Sequence, residues 1–152
     1  MPELYIDADA CPVKDEALRV AERHDLLMHV VGNTWFRKAQ GAKVNSVVVP
    51  GEPDAADDWI AEHIQPGDVC ITGDIPLAAR CLERGAAVLN HSGKLFTQDS
   101  IGMALAMRDL KSQLRETGEI KDHHASFSKA DRSKFLSALE DAVRTAKLSA
   151  DK

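Results

Sequence analysis

Cysteine is scarce in this chain of 152 residues, with only Cys11, Cys70 and Cys81. An odd number with no paired spacing excludes a disulfide framework and offers no zinc knuckle. Reduced thiols and a cytoplasmic setting are the expectation. Long apolar runs are missing as well, and none approaches the roughly 20 residues of a membrane helix. Met1-Pro2-Glu3 has neither the basic start nor the apolar stretch of a signal peptide, so export is not expected. Positive charge is in deficit: 24 acids against 19 Lys and Arg give a formal net charge of −5. That argues against a protein that coats nucleic acid without specificity, yet leaves room for an acidic site rimmed by local basic patches. Internal repeats and low-complexity segments are absent too.

The remaining composition, 44% hydrophobic and 28% charged, is that of a globular protein. The length suits one domain over 1–152 with a real core. Short apolar runs at Leu4–Ile6, Leu26–Val31, Val44–Val49, Val69–Thr72 and Ala86–Leu89 predict five strands. Helical spacing of Val13, Ala17, Val20, Ala21 and His24 predicts a helix after the first strand, with Pro12 in its first turn. Helices are also predicted from Asp54 to about Ile64 and over Ile75–Glu83, and a further one over Asp99–Arg115. Gly118–Ser126 is polar enough for a linker. A last amphipathic helix over 128–147 carries Phe135, Leu136, Leu139 and Val143. Strands alternating with helices imply an α/β fold: a three-layer sandwich around a mainly parallel five-stranded sheet, plus C-terminal helices.

Three acidic segments stand where strands end or helices begin: Asp7-Ala8-Asp9, Asp54-Ala55-Ala56-Asp57-Asp58 and Thr72-Gly73-Asp74. Carboxylates gathered at buried strand ends repel one another and resist desolvation, which a bound cation relieves. Open α/β sheets bind ligands beyond the carboxyl ends of their strands, where the strand order reverses. In the order 3-2-1-4-5, strands one and four meet at that reversal, and Asp7, Asp9 and Asp74 face one crevice with the Asp54 helix nearby. Oxygen donors of this kind favour Mg²⁺ or Mn²⁺, which can activate water against a phosphodiester. Each acid also has a purely structural use. Asp9 and Asp74 can cap the helices that follow them, Asp54 is a natural helix cap, and Asp57 suits a capping box.

Leu4 to Lys14, Asp54 to Ala61, Ile71 to Arg80, Asn90 to Phe96 and Phe127 to Arg132 resemble the bacterial YaiI/YqxD family. The likeness spans nearly the whole chain. That family is similar to the PIN-like nuclease group, which holds divalent metal with clustered acids and cleaves RNA or DNA backbones. The resemblance implies a PIN-like fold, with Asp7 as the first acid, Asp57 and Asp58 as the middle acids and Asp74 as the late one. Pro76 stands where related flap-type nucleases often carry a further acid, so one metal, or a second that depends on substrate, is the expectation.

Other segments suggest contacts with substrate. Lys14 can reach a phosphate from the first turn of its helix or simply be solvated. Trp35-Phe36-Arg37-Lys38 pairs aromatic faces, which stack on unpaired bases, with cations that follow phosphate. Its aromatics could equally fill the core. Thr72 flanks the late acid, and Ser92-Gly93-Lys94 could greet phosphate without forming a P-loop. Lys129, Arg132 and Lys134 form either a solvated face or a nucleic-acid contact. Cys11 has no His partner and is not a convincing nucleophile. His123-His124 makes no metal site by itself.

The leading expectation is a metal-dependent nuclease acting on RNA or single-stranded nucleic acid. One alternative is a haloacid-dehalogenase-type phosphatase with Asp7 as nucleophile, although Pro12 leaves little room for the flap those enzymes insert. Another is a noncatalytic nucleic-acid-binding module that keeps an acidic site as a relic.

Overall fold

The computed structural model describes residues 2–8, 13–33, 43–51, 55–103, 105–107 and 129–150. The expectations placed on Asp9, Cys11, Trp35, Phe36, Arg37, Lys38 and Asp54, and on the 118–126 linker, fall outside these residues.

Strands β1 (Leu4–Asp7), β2 (Met28–Gly32), β3 (Val44–Val48), β4 (Val69–Ile71), β5 (Ala87–Leu89) and β6 (Leu95–Phe96) form one sheet in the order β3-β2-β1-β4-β5-β6. The first five are parallel, and β6 runs antiparallel to β5. Five predicted strands thus become six. The added strand has only two residues, too few for any alternation to show in the sequence. It arises because the turn after β5 is tight enough to fold the chain straight back.

β1, β2 and β4 are buried along their whole length, which explains their mainly apolar runs, interrupted by His29 in β2 and ended by Asp7 in β1. Alternate residues feed two cores. On one side Leu4, Ile6, Met28, Val30, Val69 and Ile71 pack with residues of helix α1 (Lys14–Arg23) and of the final helix, α4 (Lys129–Ala150). On the other side Tyr5, Val31, Cys70 and Val88 meet α2 (Ala55–His63) and α3 (Ile75–Glu83). Phe135, Leu139 and Val143 of α4 are fully buried, at the i, i+4, i+8 spacing of a helix stripe. Residues 98–103 and 105–107 are helical as well.

Helix ends follow local chemistry. Asp15 and Glu16 place negative charge on the first turn of α1, against the helix dipole. α3 starts at Asp74, whose side chain accepts from the Leu77 amide, and Pro76 occupies its first turn. It stops before Gly85, which has a φ of +86°; a Cβ there would lie 3.3 Å from that of Pro66.

Ion pairs fix α4 to α1. Glu140 accepts from Arg23 at 2.8 Å, contacts His24 and lies 3.6 Å from Arg144. Lys147 reaches the other ring nitrogen of His24 at 3.4 Å. Nearer the start of α4, Arg132 pairs with the buried Glu16 at 3.4 Å.

Candidate metal site at the carboxyl edge of the sheet

Parallel pairing sets Ile6 beside Ile71, so Asp7 at the end of β1 faces Thr72 just beyond β4. Asp7 is only 6% exposed and Thr72 is fully buried. The Thr72 hydroxyl donates to Asp7 Oδ2 at 3.2 Å, and its oxygen accepts from the Asp74 amide at 3.0 Å. Asp74 Oδ1 then accepts from the Leu77 amide, also at 3.0 Å. One hydroxyl therefore links the two carboxylate positions to each other and to the N-terminus of α3. The Thr72 amide donates to Leu89 O at 2.9 Å and ties this turn to the end of β5. The site lies at the reversal of strand order, with β1 leading one way to β2 and β3 and the other way to β4 and β5.

Both structural and ligand uses of Asp74 are compatible with this geometry. Capping occupies Oδ1 and leaves Oδ2 as a hard donor. A carboxylate carries about four lone-pair sites, and the Thr72 hydroxyl takes one of those of Asp7.

Asp57 and Asp58 lie on the first turn of α2. Asp58 is held at 2.8 Å by Arg80 of α3, and both side chains are about half exposed. That hydrogen bond raises the guanidinium pKa above its ordinary value. Asp58 is thereby drawn toward the flank of α3, whereas Asp57 is the more sheltered of the two. Lys14 opens α1 and is partly exposed, while Lys94 is exposed on the β5–β6 turn, two strands away from Asp7. Among the described residues, no group of three or more His, Cys, Asp or Glu is close enough to share a metal ion.

The donors nevertheless suit a hard cation. Mg²⁺ is commonly held by one or two carboxylates, with water and substrate phosphate completing its shell. Asp7 and Asp74 can supply that minimum.

A second buried carboxylate, Asp68, shows what a structural acid looks like in this fold. It precedes β4 at the opposite edge and accepts from the amides of Glu3 at 3.0 Å and Gln65 at 2.9 Å. Burial pushes its pKa up, against the pull of those two amides. Close by, Tyr5 stacks on His29 at 4.4 Å and Trp59 on His63 at 3.9 Å. His29 also meets Glu3 at 2.7 Å and Asn45 at 3.1 Å. Sequence reasoning missed this partly buried cluster, because its members are scattered along the chain and share no spacing.

It also missed Asn90. The Asn90 side chain accepts from the Ser92 amide, the Ser92 hydroxyl and the Lys94 amide, at 2.8–3.0 Å. An Asn placed two residues before Ser and three before Gly at a strand end is the available signal for such a turn. The resulting turn stands beside the acid edge, since a Cβ on Gly73 would lie 3.8 Å from His91 Nδ1. Elsewhere, an apolar cavity of about 400 Å³ between α4 and the β5–β6 edge is lined by Ala87, Leu89, Leu95 and Ala142. It offers shape but little chemistry.

Fold and edge together define an α/β protein with a mostly parallel six-stranded sheet whose strand order reverses beside Asp7, Thr72 and Asp74. The chain belongs to the family described as "Uncharacterized BCR, YaiI/YqxD family", whose model matches residues 5–145. It is 63% identical over 144 residues to a UPF0178 protein of Parvibaculum lavamentivorans, covering 95% of each chain. Identity to a UPF0178 protein of Rhodospirillum rubrum is 59%, over 95% of this chain and 97% of the relative. A third, from Paramagnetospirillum magneticum, is 56% identical over 97% of both. No solved structure matches the chain. No helix among the described residues is long and apolar enough to cross a membrane.

Proposed function

We propose that the protein is a PIN-like, divalent-metal-dependent nuclease that hydrolyses phosphodiester bonds of RNA or single-stranded nucleic acid. The observation that carries this reading is the Asp7–Thr72–Asp74 linkage across adjacent parallel strands at the carboxyl edge. A buried strand-end carboxylate beside a second acid is costly to keep charged, and a cation offsets that cost.

In this reading Asp7 and Asp74 hold Mg²⁺ or Mn²⁺. Asp57, on the same turn of α2 and more sheltered than Asp58, is the next acid in this reading, while Asp58 bonds to Arg80. Asp9 would add a donor from the segment after β1. The metal, when bound, lowers the pKa of water and neutralises charge on phosphate. The chain's own part is to fix Asp7 Oδ2 through the Thr72 hydroxyl and Asp74 Oδ1 through the Leu77 amide, exclude bulk solvent around Asp7 and supply cations for the backbone. Lys14, Arg37, Lys38 and Lys94 are the candidates for that last role.

A panel of RNA, single-stranded DNA, duplex DNA and phosphomonoesters, each with Mg²⁺ or Mn²⁺, tests the proposal. Metal-dependent diester cleavage, lost in Asp7→Asn and Asp74→Asn, is the expected result. Turnover of monoesters alone, with a phosphoaspartate trapped on Asp7, would instead indicate the phosphatase. Metal binding without turnover on the whole panel would indicate a noncatalytic module.

A further inference from the structure

A second concave surface adjoins the acid edge. The β5–β6 turn and α4 enclose an open groove of about 580 Å³, whose lining includes Ser92, Lys94, Ser133, Lys134, Ser137 and one acid, Asp141. Its walls are held in place. Asn90 gathers the backbone of the turn, and Gly93, at a φ of +88°, sits so close to α4 that a Cβ would lie 2.8 Å from Lys134 O. Two cations, the hydroxyls of Ser133 and Ser137 and one carboxylate, Asp141, therefore meet from two separately anchored elements, the Ser92 hydroxyl being already given to Asn90. Neither Lys94 nor Lys134 has an ion-pair partner among the described residues.

The neighbourhood indicates what such a groove would take. Asn90 directly follows β5, whose end is bonded to Thr72, and His91 lies against Gly73. The groove thus begins two strands from Asp7, roughly 10 Å at ordinary strand spacing. Ammonium and hydroxyl donors without a base-sized aromatic platform recognise phosphate oxygens rather than bases. In a chain of net charge −5, a local pair of unneutralised lysines beside an acidic site is a directional feature.

We propose that this groove binds the phosphate backbone of a single-stranded nucleic acid and leads the strand to or from the Asp7 edge. The identity of the strand rests on the nuclease reading; the anion site rests on the groove itself.

The test is fluorescence anisotropy of a short labelled single-stranded RNA, with the full-length chain carrying Asp7→Asn to prevent cleavage, in Mg²⁺ and over a range of salt. Lys94→Gln and Lys134→Gln are added singly and together. Arg19→Gln, an exposed cation on α1, serves as the charge control. Circular dichroism confirms that each variant is folded. Expected are a loss of affinity of about tenfold or more in the double variant and a salt slope shallower by about 1.4, the value for two phosphate contacts on a single strand. Arg19→Gln should leave both unchanged. Unchanged affinity and slope in the double variant would overturn the proposal. So would an Arg19→Gln effect equal to that of either lysine, or a groove that takes inorganic phosphate but no RNA. Lysine-dependent RNA binding by a wild-type chain that cleaves nothing would support the groove and defeat the nuclease reading alone.

Discussion

Thr72 donates its hydroxyl to Asp7 across the β1–β4 boundary at 3.2 Å, and the same oxygen receives the amide of Asp74. A threonine can do both because a hydroxyl is donor and acceptor at once. Thr72→Ser should keep the linkage, whereas Thr72→Val leaves the Asp74 amide without its hydroxyl acceptor and Asp7 without its donor. The valine variant is expected to lose about 1–3 kcal/mol of stability and roughly 10–100-fold in metal affinity. Denaturant unfolding and metal titration of the two variants provide the check; serine and valine behaving alike would deny Thr72 this positioning role.

Asp58 and Arg80 make a half-exposed pair between α2 and α3. Exposed pairs contribute little, so Arg80→Gln should change stability by less than about 1 kcal/mol. Asp58→Asn should likewise reduce cleavage far less than Asp7→Asn does. Equal losses in the two acid variants, measured as kcat/KM on one RNA substrate, would place Asp58 in the metal site after all.

Glu140 lies against His24, Arg23 and Arg144, and its carboxyl pKa is lowered, chiefly by the hydrogen bond with His24 and further by Arg23. A carboxyl whose pKa falls on folding stabilises the native state above the unfolded value, about 4.3 for glutamate, and loses that contribution as pH drops through the folded value. Glu140→Gln should therefore lower Tm at pH 7, by the equivalent of about 1–2 kcal/mol. The difference from wild type should shrink as pH falls below about 4. A gap that stays constant from pH 7 to pH 3 would show that the charge of Glu140 is not what stabilises the α1–α4 contact.

Gly93 joins a positive φ to a backbone approach that leaves no space for a Cβ. Gly93→Ala should destabilise by about 1–3 kcal/mol, because strain and collision act together. It should also displace the β5–β6 turn from α4 and weaken RNA binding along with the Lys94 and Lys134 variants. Stability equal to wild type would mean that the turn can yield without cost.

Strands β1, β2 and β4 could be found from sequence because both their faces are buried, leaving Leu4–Ile6, Leu26–Val31 and Val69–Ile71 as mainly apolar runs, with His29 the polar exception in the second. The order 3-2-1-4-5, supposed rather than derived from the sequence, is the order of the five parallel strands, and α3 could be bounded from Asp74 and Gly85. What escaped detection was set by distant contacts. Leu95–Phe96 becomes a strand only because Asn90 closes the preceding turn. Asp57 and Asp58 look equivalent in sequence, and the bond from Arg80, 22 residues away, to Asp58 is visible only in the fold. Spacing could bring Asp7 and Asp74 to one edge, but only coordinates could show Thr72 joining them.

The account depends on Asp7 and Asp74 holding one cation. Titration of Mn²⁺ into the chain, followed by the loss of the free-ion electron paramagnetic resonance signal, tests this most directly. Saturable binding is expected, displaced by Mg²⁺ and weakened at least tenfold in both Asp7→Asn and Asp74→Asn, with Asp68→Asn unaffected. Binding of the same strength in wild type and in both edge variants would contradict it.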